Sequence, residues 1–478
     1  MAVTFQGNPL FQGGAPFRAE IDLYDCEVEG RIPADLNGTF YRVGPDYRYP
    51  PRLLNDIPFN GDGHVGMFRF SGGGVDFRSR YAQTQRYVAE REAREALFGC
   101  YRNRYTDRPE VRPLSGGTAN THVILFNGKL MAFKEDSPPV LMDPETLETI
   151  DNFWTFDGQL ESMTYTAHPK IDMATGEFIG FGYEAKGEAT RDINVFAIGP
   201  DGKKTWSAWV QCPYTCMIHD FAVTEHFVGF LLIPYVVSVE RLKAGEVHWA
   251  WDQTLPSYLG VMRRGGDGSD IKWMKAPTRC ATHVMGSFND GDTFYMDMDM
   301  GTSAQFPFFP FLNSHFDPPS AAGKMTRLTV DMGARTPAYH EEIMYPNWGG
   351  ALPRQDDRYN TRPYTFGIMP CGQYGGPNAI VTFNHARRTT NAWMVPDGTK
   401  VNEPCFAPRS KNAPEGDGYI IAMASRLNEG GRSDLLVFDA QHVDDGPIAT
   451  VNLPFKAMGQ IHGWWAPDWE LKATPLEV

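Results

Sequence analysis

The sequence predicts an all-β protein, closed as a propeller or split into packed sandwiches. Three observations predict it. Gly (48) and Pro (36) are abundant and fall singly between short apolar runs, the punctuation of many short strands joined by turns. Strand-like runs recur along all 478 residues. Helical periodicity is scarce. In chain order the runs are Thr39–Arg42, Gly66–Phe70, His122–Phe126, Phe178–Tyr183, His226–Leu232, Thr293–Met296, Ala379–Phe383, Tyr419–Ala422 and Leu435–Asp439, mostly β-branched and aromatic residues. Asn127-Gly128, Asp201-Gly202 and Asp397-Gly398 lie between or beside them, and such pairs accept the positive φ that tight turns demand. The clearest helical pattern is Val88–Phe98. No Gly/Ser- or Pro-rich linker divides the chain, so one unit over 1–478 is expected. As seven blades the chain would average about 68 residues per blade, against ~40–45 for a minimal blade. The surplus predicts long loops on one face, where a substrate cover can be built.

Composition excludes several classes. A net charge of −14 offers no basic stripe for nucleic acid or an anionic membrane. The opening M-A-V-T-F-Q-G-N-P-L lacks the basic and apolar regions of a secretory signal. The longest apolar run, Phe227–Val239, contains Pro234 and falls short of the roughly 20 residues of a membrane span. Seven cysteines in no framework pattern suggest free thiols in a reducing compartment. The expectation is a cytoplasmic protein without stable membrane insertion.

Among twelve histidines, His248, His340, His385 and His442 stand in polar or turn-like surroundings and read as surface residues. His168, His219, His283 and His462 differ, each flanked by apolar or small residues. They lie far outside any local zinc-finger spacing. Taken singly, each is either a satisfied core histidine or a ligand. A propeller would unite them, because its inner strands bring side chains to a common axis. In the run Met217–Phe230, His219 and His226 are seven apart, so on one unbroken strand they face opposite sides. Cys212, Cys216 and His219 offer a competing zinc triad, with no evident fourth ligand.

Several motifs then carry a family resemblance. Gly30–Pro45 reads G-R-I-P-A-D-L-N-G-T-F-Y-R-V-G-P, and Asn60–His64 reads N-G-D-G-H. The run from Lys134 to Thr149, T-A-H-P-K at 166–170, I-H-D-F at 218–221, E-P-C-F-A-P at 403–408 and I-H-G-W at 461–464 follow in order. Together they resemble the carotenoid cleavage oxygenases over nearly the whole chain. The stretch Leu97–Asp107 and Lys134 match its lignostilbene dioxygenase branch, with isoeugenol oxygenase a near relative. The resemblance implies a seven-bladed β-propeller, capped by loops and short helices over a non-haem Fe(II). It places the four iron ligands on His168, His219, His283 and His462, with Glu135 and Glu403 behind them. Imidazole suits iron, and four neutral ligands leave two cis positions of an octahedron. Two departures stand out. A family E-F-P-R glutamate is replaced by Ala351 in A-L-P-R, and V-M-G-S-F-N-D after His283 lacks the usual N-A-x-E. Support for one histidine, His283, is thereby missing.

The branch also implies a phenolic stilbene and O2 as substrates, and a homodimer. Its 4-hydroxyl contacts fall on Lys134 and Tyr101, and its ring-stacking position on Phe59. Without the resemblance, Lys134 reads as a snorkelling lysine on an edge strand and the aromatics as core. On a strand, Lys134 and Glu135 would face opposite ways. Gln305–Leu312 sets four phenylalanines between prolines, either a membrane-dipping loop or, as the acidic charge favours, an aromatic wall including Phe306 and Phe308.

Overall fold

The computed structural model describes residues 4–12, 14–457, 461–471 and 475–476. Among the described residues, thirty-two strands form seven antiparallel sheets set around one axis as a seven-bladed propeller. Each predicted run lies in a strand, apart from His226, which precedes Phe227–Val236. Strands such as Asp192–Ile198 are buried along their whole length. A blade sandwiched between two others packs on both faces, so its strands read as continuous apolar runs.

Closure uses both ends of the chain. The C-terminal strand His462–Pro467 pairs with Gly38–Asp46, from Val43 opposite His462 to Gly38 opposite Pro467. It is thus an edge strand of the first blade, whose other strands come from residues 21–81. Glu27–Gly30 in turn pairs with Ala449–Asn452 and completes the seventh blade. Gly463 sits where the closing strand meets Arg42: an added Cβ would lie 2.5 Å from the Tyr41 carbonyl oxygen and 2.4 Å from Arg42 Cδ. Gly463→Ala is expected to cost about 1–3 kcal/mol of unfolding free energy, read from a denaturant melt.

The hairpin turn at Asn127-Gly128 has φ of 50° and 71°, as two-residue turns require. The helix differs from its expected bounds and spans Gln85–Ala93. Thr84 caps its start by accepting from the Tyr87 N–H, and Arg94 ends it in the left-handed region at φ 58°. Beyond it, Glu90 Oε1 accepts the Leu97 and Phe98 amides at 2.9 and 3.0 Å, fixing them in a loop. The run Met217–Phe230 is not one strand either: Cys216–Met217, Phe221–Val223 and Phe227–Val236 are separate. His219 lies in the first break, and His226 is exposed at the second.

Two histidines expected at the surface are core residues. His248 is 1 % exposed and held by Glu184 and the Arg102 carbonyl at 2.9 and 2.8 Å. His385 is buried against Tyr345 and Met285. Polar sequence neighbours did not reveal these partners, which come from distant segments. All seven cysteines are free and buried. Among the described residues no helix is long and apolar enough to cross a membrane.

Candidate metal centre and substrate cavity

Four different blades deliver His168, His219, His283 and His462 to the axis. His168 stands just before Lys170–Asp172, His219 in the break after Met217, and His462 at the first position of the closing strand. His283 lies in Cys280–Asp290, where register shifts between Ala281 and Gly286 re-aim the strand. One nitrogen of each ring lies within 4.8 Å of the other three, and all four residues are buried. The Nε2 of His219 is 3.2 Å from those of His168 and His283.

The opposite nitrogens of three of the rings meet oxygens. His219 Nδ1 contacts Glu135 Oε1. His462 Nδ1 is 2.7 Å from Glu403 Oε1, and His283 Nδ1 is 2.9 Å from Thr282 Oγ1. These partners keep the proton on Nδ1 and turn the Nε2 lone pair inward. Lone pairs facing one another at 3.2 Å satisfy nothing, and His462 Nε2 is buried with no hydrogen-bond partner among the described residues. A divalent ion resolves all of this at once, and an all-imidazole set suits a first-row metal. The donor set therefore fits a metal.

Further groups fix the carboxylates. Tyr183 Oη donates to Glu135 Oε2 at 2.9 Å, and Arg102 lies 3.9 Å away. Burial pushes Glu135 up, but His219, Arg102 and Lys134 outweigh it and hold the carboxyl down to about 2. Glu403 Oε2 accepts the Gly463 amide at 3.0 Å and pairs with Arg42 and Arg354, each at 3.3 Å. Its burial is likewise outweighed, by His462 and the two arginines, so its carboxyl lies well below the usual range. Burial pushes His462 down to about 4 against the pull of Glu403, keeping the ring neutral and its Nε2 free.

Sequence reasoning missed Arg42, Arg102, Arg354, Tyr183 and Asp299. For Arg42 and Asp299 the legible signal is a charged residue inside an apolar strand, as in T-F-Y-R-V and M-D-M-D-M. It also passed over His122, whose ring centroid is 5.4 and 5.1 Å from those of His168 and His462. His122 Nδ1 lies 2.8 Å from the Ala167 carbonyl oxygen and Nε2 3.3 Å from that of Gly463, and the ring packs against the cluster without joining it. Asp220, beside His219, binds Lys170 and the Val284 amide and so braces neighbouring blades. The alternative zinc triad is overturned: both His219 nitrogens are engaged elsewhere, and Cys212 Sγ points at the Tyr214 carbonyl at 3.0 Å.

A cavity of about 290 Å³ opens onto His219, His283 and His462. Phe59, Tyr101, Lys134, Phe306, Phe308 and Phe309 line it. Lys134 and Glu135 follow the end of the strand Lys129–Phe133, so alternation no longer holds and both reach the cavity. This corrects the expectation that they face opposite ways. Lys134 is 5 % exposed, with Nζ 4.8 Å over the Tyr101 ring and 3.4 Å from the Phe59 carbonyl. Burial lowers its pKa from the ordinary lysine value, against the pull of Asp136 and Glu135. The Phe59 ring meets Phe308 and Phe306 edge-on at 5.0 and 6.2 Å, and Phe306 reaches 6.2 Å from His219. The proline-framed segment thus supplies cavity wall through three of its four phenylalanines, with Phe311 packing on Phe316 instead.

Glu135→Gln and Glu403→Gln preserve shape but weaken ring orientation. Each is expected to lose metal affinity or turnover by ~10–100-fold, measured by metal content after dialysis and by rate. Wild-type behaviour of both would reduce these carboxylates to packing groups.

Comparison with known proteins agrees with this geometry. Residues 14–467 match the family model described as retinal pigment epithelial membrane protein. The chain is 43% identical over 468 residues to lignostilbene-alpha,beta-dioxygenase isozyme III of Sphingomonas paucimobilis, covering 94% of this chain and 95% of that one. It is 38% identical to isoeugenol monooxygenase of Pseudomonas nitroreducens, over 98% of this chain and 100% of the relative. The crystal structure of Pseudomonas brassicacearum lignostilbene dioxygenase superposes with a TM-score of 0.92 at 40% identity, over 98% of this chain and 100% of its own. A propeller closed by both termini, four axial histidines and a match along most of its length place this chain in the retinal pigment epithelial membrane protein family, that of the carotenoid cleavage oxygenases.

Proposed function

We propose that the protein is a non-haem Fe(II) dioxygenase that cleaves the interphenyl double bond of 4-hydroxystilbenes. One alkene and one O2 give two aromatic aldehydes, such as vanillin from a lignin-derived stilbene. The observation that carries this reading is a single buried ammonium, Lys134, in an aromatic cavity that opens onto the four-histidine cluster. His168, His219, His283 and His462 hold the iron, and Glu135 and Glu403 orient the rings of His219 and His462. When bound, Fe(II) supplies the one-electron chemistry that O2 needs to react with a closed-shell alkene.

The chain's own groups do the rest. Lys134 receives the phenolic oxygen: an ammonium has three donors, and only the Phe59 carbonyl at 3.4 Å takes one among the described residues. Tyr101 backs Lys134 with its ring face and closes the same end. Phe59 stacks on the substrate ring, while Phe306 and Phe308 wall the alkene and exclude water. A cavity of about 290 Å³ stands at the small end of ligand pockets, ~300–1,000 Å³, which suits a flat molecule of one or two rings. That size supports a second reading, oxygenation of a one-ring propenyl phenol such as isoeugenol. An oxygen-electrode screen of the iron-loaded protein against 4-hydroxystilbene, isoeugenol and an apocarotenal separates them. The fastest uptake is expected with the stilbene, giving two aromatic aldehydes. No uptake with any hydroxystilbene would overturn the proposal.

A further inference from the structure

Three of the four axial histidines have a carboxylate near Nδ1, but among the described residues only two of those carboxylates also meet arginine. Glu135 has Arg102, and Glu403 has Arg42 and Arg354. Asp299 is 0 % exposed, and its one ion-pair partner among the described residues is His283. Asp297, two positions earlier on Thr293–Gly301, shows the contrast: Arg327 clamps both its oxygens at 2.8 and 2.7 Å.

The contacts of Asp299 are directed. Its Oδ1 accepts the backbone N–H groups of Thr282 and His283 at 3.1 and 2.8 Å. Its Oδ2 accepts the Thr282 hydroxyl at 3.3 Å and lies 3.4 Å from His283 Nδ1. Thr282 Oγ1 is nearer to that Nδ1, at 2.9 Å. A hydroxyl accepts and donates at once, so the chain runs from His283 Nδ1–H to Thr282 Oγ1–H to the carboxylate. Ala351, on the cavity wall, has no carboxylate to offer. Asp299 comes instead from the strand paired with that of His283 in the same blade.

We propose that Asp299, acting through the Thr282 hydroxyl, is the positioning residue of His283, and that its buried negative charge strengthens binding of a divalent cation among the histidines. The inference rests on the four-histidine reading. Without a cation, a buried carboxylate with no arginine or lysine is unfavourable, so the metal-free state is destabilised by the residue that helps hold the metal. Asn at this position keeps an oxygen for the two backbone amides while removing the charge.

The test titrates Co(II) into metal-free wild type, Asp299→Asn and Thr282→Val, following visible absorbance, and records melting temperatures with and without cobalt. The wild type is expected to take one Co(II) per chain. Asp299→Asn should bind ~10–100-fold more weakly with an altered cobalt spectrum. Its metal-free form should melt at or above the metal-free wild type and gain less from cobalt. Thr282→Val leaves both Oδ1 contacts in place and should weaken cobalt binding in the same direction by less; it carries the test if Asp299→Asn does not fold. If the group is needed only to accept two backbone amides, Asn replaces it in full, and both melting temperatures and the cobalt spectrum stay as in the wild type. That pattern, or wild-type cobalt affinity in both variants, overturns the inference and leaves the four-histidine site standing. A wild type that takes up no cobalt removes the four-histidine reading, and the inference with it.

Discussion

His219→Ala is expected to lose its metal and all turnover while remaining folded. His219 is the hub of the cluster, its Nε2 3.2 Å from two of the other three. Its removal deletes a donor and frees Glu135, so the loss should exceed the ~10–100-fold typical of a group one layer further out. The fold survives because Glu135 keeps Tyr183 and Arg102, and because the strands on either side of residue 219 both pair with Phe227–Val236 independently of its ring. The control is His226→Ala, seven residues along. That side chain is exposed, and the contacts to Thr224 and Asn289 come from its backbone amide. Its substitution should stay within about ±0.5 kcal/mol and leave activity intact. Metal analysis, circular dichroism and turnover decide the pair. A His219→Ala protein that keeps iron and rate would end the four-histidine account.

Lys134→Met should lower turnover on a 4-hydroxystilbene by roughly 30- to 1,000-fold, about 2–4 kcal/mol in the barrier. A phenol titrates near pH 10, so half-ionisation at pH 7 needs a shift of about three units, roughly 4 kcal/mol. An ammonium about 4 Å away at an effective dielectric of 20 supplies that much, and burial of the phenolate takes part of it back. Electron density released from the phenolate through the ring makes the alkene a better partner for O2. The interaction therefore strengthens as the alkene is attacked, and its loss should fall on kcat more than on KM. Methylating the substrate's 4-hydroxyl removes the same interaction from the other side. The two changes should not add. A 4-methoxystilbene cleaved as fast as its phenol, or Lys134→Met near the wild-type rate, would point to a substrate without a phenol, such as an apocarotenoid.

Much of the fold was legible because blades repeat a local grammar. Thr39–Arg42 and Ala379–Phe383 announce themselves by composition, and Asn127-Gly128 by the φ values its turn needs. The helix was legible in kind but misplaced. Apolar periodicity ran on to Phe98, while the Thr84 cap and the Glu90 side chain, which captures the Leu97 and Phe98 amides, decided where it begins and ends. The candidate site was legible only through motifs. Flanking residues set His168, His219, His283 and His462 apart, yet the same reasoning sent His248 and His385 to the surface, where neither lies.

The sequence by itself determined an all-β chain with many turns, an acidic surface, four histidines in apolar settings, and a lysine and phenylalanines in unusual company. These follow from rules that act over a few residues: side-chain alternation, turn conformation and the free energy of burial. Tertiary structure alone decided which groups meet. Closure of His462–Pro467 onto Gly38–Asp46 brings His462 to the axis beside Arg42. The bulged strand around His283 turns its ring toward Thr282 and Asp299. The end of a strand at Phe133 lets Lys134 and Glu135 share one cavity. The first joins segments 419 residues apart, the second depends on a bulge between paired strands and the third on where a strand stops. No local pattern encodes where neighbouring strands and blades will place those side chains.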